Sequence, residues 1–290
     1  MKSTFSIKSS KNLVTFDCRE FKDGAIQVVP VLENKDITLS ESLVNFWGNG
    51  VFVEAHIKDT QGLIALGQIK NIVDSALKNT GENVGVKLVL GYMPFSRYDR
   101  AMYENDAFSL KLVIDMINSM KFDDVYVSDP HSNVTEILLN NIIIMPQEEC
   151  IEYFRNDITS KYDGIVSPDA GALKKIEKVA KTLDFDFTQV INCGKVRDIQ
   201  TGEIVRTDVY NDVQGKSLLL VDDICDGGRT FIQLAKVLKE KGAKQVDLYV
   251  THGMFFYGFD ELQKDITNIY CLYNWTDREC DDTFKYIRKF

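Results

Sequence analysis

The sequence is poor in the features that mark zinc-binding, secreted and membrane-spanning proteins. It has three histidines and six cysteines in 290 residues, and no two cysteines have the Cys-x-x-Cys spacing of a structural zinc site. The scattered cysteines predict reduced thiols. No apolar stretch approaches the roughly 20 residues that span a bilayer, and the first residues lack the apolar core of a signal peptide. We therefore expect a soluble, cytoplasmic protein that does not act at a membrane.

Basic residues are outnumbered, and they are spread along the chain. The sequence has 34 Lys and Arg against 43 Asp and Glu, which gives a formal net charge of −9 at pH 7. A general nucleic-acid-binding surface requires clustered basic residues. We therefore expect no nucleic-acid partner, and any anion site must be local.

Strand-like and helix-like segments alternate along the whole chain. Continuous apolar runs, such as Val86–Met93 and Gly164–Ser167, are typical of strands buried on both faces, whereas Gly62–Lys78 has apolar residues at helical spacing. The last strand is predicted at Ile266–Leu272. This alternation predicts an α/β fold with parallel sheets. No linker rich in proline, glycine or serine interrupts it, and we place a domain boundary near residue 143.

The strongest functional signal follows the apolar run Leu218–Val221. Two adjacent carboxylates, Asp222 and Asp223, come next, and then Asp226 precedes two glycines and a segment with helical spacing. Glycines at a helix N-terminus let an anion approach backbone N–H groups, and carboxylates suit sugar hydroxyls or Mg²⁺. The pattern predicts a ribose-phosphate site, with simple capping of the helix as the alternative. The predicted phosphate cradle comprises Asp226, Gly227, Gly228, Arg229 and Thr230.

Polar loops follow three other predicted strands, at the positions where ligands of open parallel sheets collect. Arg97 and Arg100 can bind phosphate oxygens or stack on a flat ring; alternatively they form surface ion pairs with neighbouring aspartates. His131 can bind a metal ion or a phosphate oxygen, or it is structural. Asp169 can cap the helix that follows it or lie near a metal ion.

Lys195 and Arg197 open a polar stretch after a further predicted strand, Phe187–Cys193. Two cations on a mobile loop can close over a transferring phosphoryl group and neutralise its charge. A solvated loop without a catalytic role is the alternative.

Together these segments resemble the ribose-phosphate pyrophosphokinases over nearly the whole chain. The last motif is shared with phosphoribosyltransferases, but the set of six in this order is specific to the synthetases. The six segments are FKDGAI at 21–26, PFSRYDR at 94–100, DPHS at 129–132, VSPDAGALKK at 166–175, KVR at 195–197 and VDDICDGGRT at 221–230.

The resemblance implies a fold and a reaction. The fold would be two tandem phosphoribosyltransferase-like domains, residues 1–143 with ATP-binding loops and residues 144–290 with the ribose-phosphate loop, each a largely parallel sheet flanked by helices. The reaction would transfer the β,γ-diphosphoryl group of ATP, with Mg²⁺ as cofactor, to the anomeric hydroxyl of ribose 5-phosphate. The protein would be a homo-oligomer, a dimer or a hexamer, whose ATP sites are shared between chains.

The resemblance also implies a role for each motif. The ATP contacts would be Phe21, Asp23, Arg97, Tyr98, Arg100 and His131, of which the first two come from a neighbouring subunit. The Mg²⁺ ligands would be His131 and Asp169. The transition state would be stabilised by Lys195 and Arg197. The ribose hydroxyls and the 5-phosphate would be held by Asp222, Asp223, Asp226, Gly227, Gly228, Arg229 and Thr230.

Several residues depart from the family pattern. Arg229 stands where a glycine is expected, Ala25 where a glutamate is usual, and Tyr98 where a glutamine is usual. The extra cation at Arg229 suggests ADP-ribose, a larger acceptor, as an alternative substrate. A phosphoribosyltransferase and a non-catalytic regulatory homologue are further alternatives, although the presence of Lys195 and His131 disfavours the second.

Overall fold

The computed structural model describes residues 2–8, 13–44, 50–81, 84–197, 204–276 and 282–289. The chain divides into two compact units, Met1–Met145 and Pro146–Phe290. Within the described residues, each unit contains one seven-stranded sheet and its own helices. This arrangement confirms the predicted α/β fold, although both sheets are mixed and only the second is largely parallel.

The first unit places its strands in the order β3-β2-β1-β4-β5-β6-β7. Neighbouring strands are parallel from β4 to β7 and antiparallel from β3 to β4. The strands are β1 (Thr4–Lys8), β2 (Leu13–Glu20), β3 (Ile26–Leu32), β4 (Val51–His56), β5 (Val86–Leu90), β6 (Val125–Ser128) and β7 (Ile142–Met145). The helices are α1 (Leu39–Val44), α2 (Thr60–Lys78), α3 (Ser109–Ser119) and α4 (Asn133–Leu138).

Helix α2 illustrates how local sequence determines the elements of this unit. Its buried residues recur every three or four positions, as at Leu66, Ile69 and Val73, so one face of the helix is apolar and packs on the core. The Asp59 carboxylate accepts the Gly62 N–H at 2.7 Å and caps the helix.

A side chain of α2 also covers the outer edge of the first sheet. The amide of Gln68 accepts the Val28 N–H at 3.0 Å and donates to the Ile26 carbonyl at 2.9 Å. Gln68 therefore pairs with the edge strand β3 as the backbone of another strand would.

The second unit places its strands in the order β10-β9-β8-β11-β12-β13-β14, and each neighbouring pair except β9 and β10 is parallel. The strands are β8 (Gly164–Ser167), β9 (Val190–Arg197), β10 (Ile204–Val209), β11 (Ser217–Cys225), β12 (Gln245–Gly253), β13 (Ile269–Asn274) and β14 (Phe284–Lys289). The helices are α5 (Gln147–Ile151), α6 (Arg155–Ile158), α7 (Leu173–Thr182), α8 (Arg229–Glu240) and α9 (Asp260–Gln263).

Of the strands predicted from apolar runs, β8 begins and ends at the predicted residues, whereas β5 ends at Leu90 and not at Met93. The prediction that Ile266–Leu272 is the last strand is wrong, because β14 follows β13. Strand β14 reads FKYIRK and lies at a sheet edge, where charged residues interrupt the apolar run of a central strand. Strands β1 and β10 and helices α1 and α4 are absent from the sequence prediction.

Each unit has a hydrophobic core of its own. The largest wholly buried side chains include Leu66 and Leu88 in the first unit and Tyr249 and Trp275 in the second. Within the described residues, none of the helices combines the length and the apolar character that crossing a bilayer requires.

Candidate functional site

Two loops of the first unit meet at the carboxyl edge of its sheet, one after β5 and one after β6. The Asp99 carboxylate accepts hydrogen bonds from the Arg100 guanidinium at 2.9 and 3.3 Å. Asp99 is nearly buried, and Arg100 lowers its pKa, with smaller lowering effects from Ser132 and His131. Asp99 therefore lies close to the loop that carries His131.

The predicted nucleotide contacts of this unit are accessible to a ligand. Arg97, Tyr98 and Arg100 are exposed on the loop after β5, and His131 is exposed on the loop after β6. The ion pair considered for Arg100 is present with Asp99, but the Arg100 side chain remains 71% exposed. This ion pair therefore orients the guanidinium without burying it.

Backbone strain occurs where both of these loops leave their strands. Phe95 has a φ of 60° and Asp129 a φ of 40°, in the left-handed region that residues with a side chain rarely adopt. Such conformations persist only where the surroundings determine them, and they are concentrated at functional sites. The strain is therefore a second reason, independent of residue type, to expect a functional site at the carboxyl edge of the first sheet.

The segment with Phe21 and Asp23 is the tip of a two-stranded ribbon. The register of β2 with β1 ends at Thr15, whereas its register with β3 continues to Glu20. Because β2 and β4 run in the same direction, the tip lies at the same sheet edge as the loops above. The predicted turn is confirmed, with Gly24 at a φ of 83° and Phe21 exposed.

In the second unit, the two adjacent carboxylates lie inside the central strand β11. The prediction that Asp222 and Asp223 follow the strand is wrong, because pairing with β12 extends β11 as far as Cys225. Asp223 is buried and Asp222 is half-buried. Burial raises the pKa of the Cys225 thiol, and the charges of Asp222 and Asp226 raise it further, so both carboxylates lie near it.

The predicted phosphate cradle lies between β11 and α8. The Cys225 carbonyl accepts the Met254 N–H at 2.8 Å, and the Asp226 carbonyl accepts the Phe256 N–H at 3.2 Å. In a trans peptide the N–H points away from the preceding carbonyl, so the N–H groups of Asp226 and Gly227 point to the opposite side. Together with the first N–H groups of α8, which have no partner within the helix, they are donors of the kind that bind anions at helix N-termini, and anion binding here stays a prediction.

The two glycines of the cradle have a structural requirement. Gly228 has a φ of 76°, and a Cβ there would lie 2.8 Å from the side chain of Leu262. A Cβ on Gly227 would lie 2.7 Å from the ring of Tyr257. A side chain at Gly228 would therefore be strained, and one at Gly227 would have to displace the Tyr257 ring, which supports the interpretation of this loop as more than a helix cap.

Asp169 follows β8 in the loop that leads to α7. Its Oδ1 accepts the Ala172 N–H at 3.1 Å, and its carbonyl accepts the Ser167 hydroxyl at 2.9 Å. This bond lies in the turn before α7, whose N-cap residue is Ala172 and which has no side-chain cap, so the prediction that Asp169 caps the helix is wrong. One carboxylate oxygen is engaged in this way, and a metal role stays a prediction.

Lys195 and Arg197 lie within β9, near the end of a second two-stranded ribbon. The predicted strand Phe187–Cys193 is therefore wrong at both ends, because Phe187–Gln189 forms a 3-10 helix and the strand continues to Arg197. Strand β9 pairs with β8 as far as Asn192, and beyond that residue its register is with β10. The backbone register places Lys195 opposite Thr207 and Arg197 opposite Ile204. The two cations therefore lie in the part of β9 whose register is with β10, beyond the part whose register is with β8.

Among the described residues, no group of three or more His, Cys, Asp or Glu side chains could hold a metal ion. Mg²⁺ commonly takes only one or two protein carboxylates and completes its shell with water and substrate phosphates. In the second unit Asp169, Asp222 and Asp226 carry oxygen donors of the kind that such a sparse site uses. His131 belongs to the first unit, and its role as a metal ligand stays a prediction.

Comparison with known proteins identifies the family. A phosphoribosyl transferase domain model matches residues 133–271. The ribose-phosphate pyrophosphokinase of Pyrococcus furiosus is 31% identical over 267 residues, which cover 91% of this chain and 87% of that protein. The chain belongs to the ribose-phosphate pyrophosphokinase family.

Other relatives agree with this assignment. The ribose-phosphate pyrophosphokinase of Pyrococcus abyssi is 29% identical over 249 residues, which cover 85% of this chain and 79% of that protein. The phosphoribosylpyrophosphate synthetase structure from Mycobacterium smegmatis superposes with a TM-score of 0.72 at 20% identity, covering 94% of this chain and 85% of that one. The second comparison shows that the ribose-phosphate pyrophosphokinase fold is shared.

Sequence reasoning missed two parts of the candidate site. Asp99 was considered only as a partner for an arginine, although it is the buried residue that joins two loops. The turn after β12, from Phe255 to Gly258, was not predicted to take part. Its aromatic residues look like core residues in the sequence, and only a glycine at each end of the segment Gly253–Gly258 marks it as a loop.

Proposed function

We propose that this protein is a ribose-phosphate diphosphokinase. It transfers the β,γ-diphosphoryl group of Mg-ATP to the anomeric hydroxyl of ribose 5-phosphate and gives phosphoribosyl pyrophosphate and AMP. The observation that carries the proposal is the glycine cradle between β11 and α8 in a chain of this family. A phosphoribosyltransferase alone would leave the first unit's arginine and histidine loops without a role.

The second unit supplies the acceptor site in this proposal. The N–H groups of Asp226 and Gly227 and the start of α8 bind the 5-phosphate, together with Gly228, Arg229 and Thr230. Asp222 and Asp223 accept hydrogen bonds from the ribose hydroxyls. Binding at both ends of the sugar orients the anomeric oxygen for attack, and positioning of this kind accounts for much of phosphoryl-transfer catalysis.

The first unit supplies the nucleotide site. Arg97 and Arg100 bind the ATP phosphates or stack on adenine, and the exposed ring of Tyr98 adds a flat surface beside them. His131 contacts the phosphates from the next loop. Phe21 and Asp23 project on their ribbon to a neighbouring chain of a homo-oligomer, a dimer or a hexamer, and contact the adenine there.

Charge neutralisation completes the proposed mechanism. When bound, Mg²⁺ would neutralise the ATP phosphates and polarise the bond to the transferred phosphorus, and His131 and Asp169 would be its protein ligands. Lys195 and Arg197 stabilise the negative charge that develops on the diphosphoryl group as AMP leaves. These residues act by electrostatics and not by forming a covalent intermediate.

Ribose 5-phosphate is the acceptor we propose. The relatives are named for ribose-phosphate substrates, and the comparisons give no support for ADP-ribose. Arg229 is exposed at the start of α8, where a cation can contact a 5-phosphate without a second diphosphate in the acceptor.

An acceptor assay tests the proposal. The purified protein with Mg²⁺, ATP and ribose 5-phosphate should form AMP and phosphoribosyl pyrophosphate in equal amounts, and ADP-ribose should give no AMP. Lys195→Ala should lower kcat by about 10²-fold or more, because it removes a transition-state charge. Lys174→Ala, which removes an exposed lysine of α7 in the same unit, is the matched control and should leave kcat unchanged. No AMP from ribose 5-phosphate, or equal activity of both variants, would contradict the proposal.

A further inference from the structure

The turn after β12 lies directly behind the phosphate cradle. Three of its N–H groups, those of Met254, Phe255 and Phe256, donate to the carbonyls of Cys225 and Asp226 at 2.8, 3.3 and 3.2 Å. These bonds hold the carbonyls of the cradle on one side. By peptide planarity they also hold the next N–H groups on the other side, where an anion binds.

The turn itself is held in a strained conformation. Phe255 is 1% exposed and has a φ of 47°, which is unfavourable for a residue with a side chain. Its ring packs against Phe259 and Phe284, with centroid distances of 5.0 and 5.4 Å. The Gly258 N–H donates to the Phe255 carbonyl at 2.8 Å and closes the turn. The core therefore fixes where the two residues at the tip lie.

Tyr257, at this tip, is the side chain that lies against Gly227 of the cradle. Its ring carbons Cε2 and Cδ2 occupy the space that a Cβ on Gly227 would fill, at 2.7 and 2.9 Å from that position. Nevertheless Tyr257 is 72% exposed, so it contributes little to the core. A large ring held in place by a strained turn and resting on a binding-loop glycine is better explained by the binding loop than by stability.

We propose that Tyr257 is a positioning residue for the ribose-phosphate cradle. Its ring supports Gly227 from behind and keeps the Gly227 N–H directed at the 5-phosphate, so that the turn after β12 sets the affinity for the sugar phosphate. The ring, and not the hydroxyl, has this role. The inference rests on the proposed function only in that the cradle binds ribose 5-phosphate; it does not require the transfer of a diphosphoryl group.

Calorimetric titration with ribose 5-phosphate tests the role of the ring. Tyr257→Ala should weaken binding about fivefold to tenfold, the range expected when one support of a binding loop is lost. Tyr257→Phe should bind within about twofold of the natural protein, because the ring is retained. Tyr153→Ala is the matched control, since Tyr153 is also an exposed tyrosine of the second unit, at 53%. The affinity for Mg-ATP should be the same in all four proteins.

A second pair of variants tests the contact directly. Gly227→Ala places a methyl group against the ring and should weaken ribose 5-phosphate binding strongly. The double variant Gly227→Ala with Tyr257→Ala should bind more tightly than Gly227→Ala alone, because the collision is removed. Such a reversal measures coupling between neighbours, and general destabilisation would not produce it.

The possible results separate this inference from the proposed function. If Tyr257→Ala binds as tightly as the natural protein, or if the two substitutions act additively, Tyr257 does not position the cradle. If the natural protein does not bind ribose 5-phosphate at all, the inference also fails. If binding behaves as expected but no AMP forms from ATP, only the diphosphokinase proposal is wrong.

Discussion

The two sheets have the same strand order but differ in the direction of one strand. Counting from the first strand of each unit, both have the order third, second, first, fourth, fifth, sixth, seventh. In the second unit β8 is parallel to β11, whereas in the first unit β1 is antiparallel to β4. The reversal has a simple cause: helix α7 lies between β8 and β9 and makes a crossover possible, whereas only the four residues 9–12 separate β1 from β2, too few for a crossover.

This one reversal changes which residues reach the carboxyl edge of each sheet. In the second unit β8 ends at this edge and delivers the loop with Asp169. In the first unit the corresponding position holds the start of β1, so a loop of this kind is missing among the described residues of that unit. Both units nevertheless present a two-stranded ribbon at the same edge, β2 with β3 and β9 with β10.

The strand-to-helix loops at the centre of each sheet also differ. Between β4 and α2, the Asp59 side chain caps the helix and bonds to the Ser3 hydroxyl at 2.9 Å. Between β11 and α8, the N-cap position is Gly228, without a side-chain cap. The first loop is closed by its own side chain, while the second leaves the helix N-terminus available to an anion. We infer that the loop between β4 and α2 stabilises its unit, whereas the loop at the same place in the other sheet, between β11 and α8, binds a ligand.

The largest effect is expected from filling the open loop. Gly228→Ala forces a side chain into the left-handed region, at about 1–2 kcal/mol, and against the buried Leu262. The free energy of unfolding should fall by about 2–4 kcal/mol, and ribose 5-phosphate binding should be lost. Gly215→Ala is the control, because Gly215 has a φ of 74° but a Cβ there meets nothing within 4 Å. Urea unfolding with equal losses for the two variants would remove the packing argument.

A smaller effect should separate the two central loops by function. Asp59→Ala should lower the free energy of unfolding by about 1 kcal/mol, the value of an N-cap, with the KM for ribose 5-phosphate unchanged. Asp226→Ala should do the reverse and raise that KM about tenfold with little loss of stability. Urea unfolding and steady-state kinetics on both variants test this. If both substitutions affect the same quantity, the two loops do not have distinct roles.

The smallest effect concerns the reversed strand β1. Glu54 of β4 has its pKa lowered from 4.5 to about 2, first by His56 and then by Lys8 of β1, 3.1 Å away. Because the folded-state pKa is the lower one, this stabilisation is present above pH 4.5 and is lost as the pH falls towards 2. Glu54→Gln should reduce stability at pH 7 by about 0.5 kcal/mol, the value of an ion pair with an exposed lysine, and the difference should shrink in acid.

Denaturant unfolding between pH 7 and pH 2.5 checks this expectation. Glu33→Gln, at an exposed position in the same unit, is the control and should show no such pH dependence. A Glu54→Gln deficit that stays constant down to pH 2.5 would mean that packing, and not charge, accounts for it.

Some parts of the fold were predictable because their sequence signal is local. Strand β8 is four buried residues between Asp163 and Pro168, and its short length and the flanking proline favour a strand over a helix. Strands β10 and β14 contain charged residues and lie at sheet edges, so their strand character depends on a partner distant in sequence. The extension of β11 to Cys225 is of the same kind, since pairing with β12 overrides the turn tendency of Asp222 and Asp223.

The candidate site likewise has one part that was predictable from local sequence and one part that was not. The cradle was predictable because the residue types that would bind a sugar phosphate, carboxylates and glycines, follow one another in the sequence. The support provided by the Phe255–Gly258 turn was not, because it depends on hydrogen bonds between loops about 30 residues apart, and its aromatic residues have no distinctive polar signature.

The bond between Gln68 and the outer strand of the first sheet has a consequence for the behaviour of the protein at high concentration. An exposed strand edge can recruit another chain and start edge-to-edge aggregation. Here the Val28 donor and the Ile26 acceptor are already occupied by the glutamine amide, and the next outward position, Pro30, has no N–H to offer. A second chain that approached β3 would find few backbone groups free to form hydrogen bonds. Gln68 and Pro30 therefore protect the first sheet from edge-to-edge aggregation.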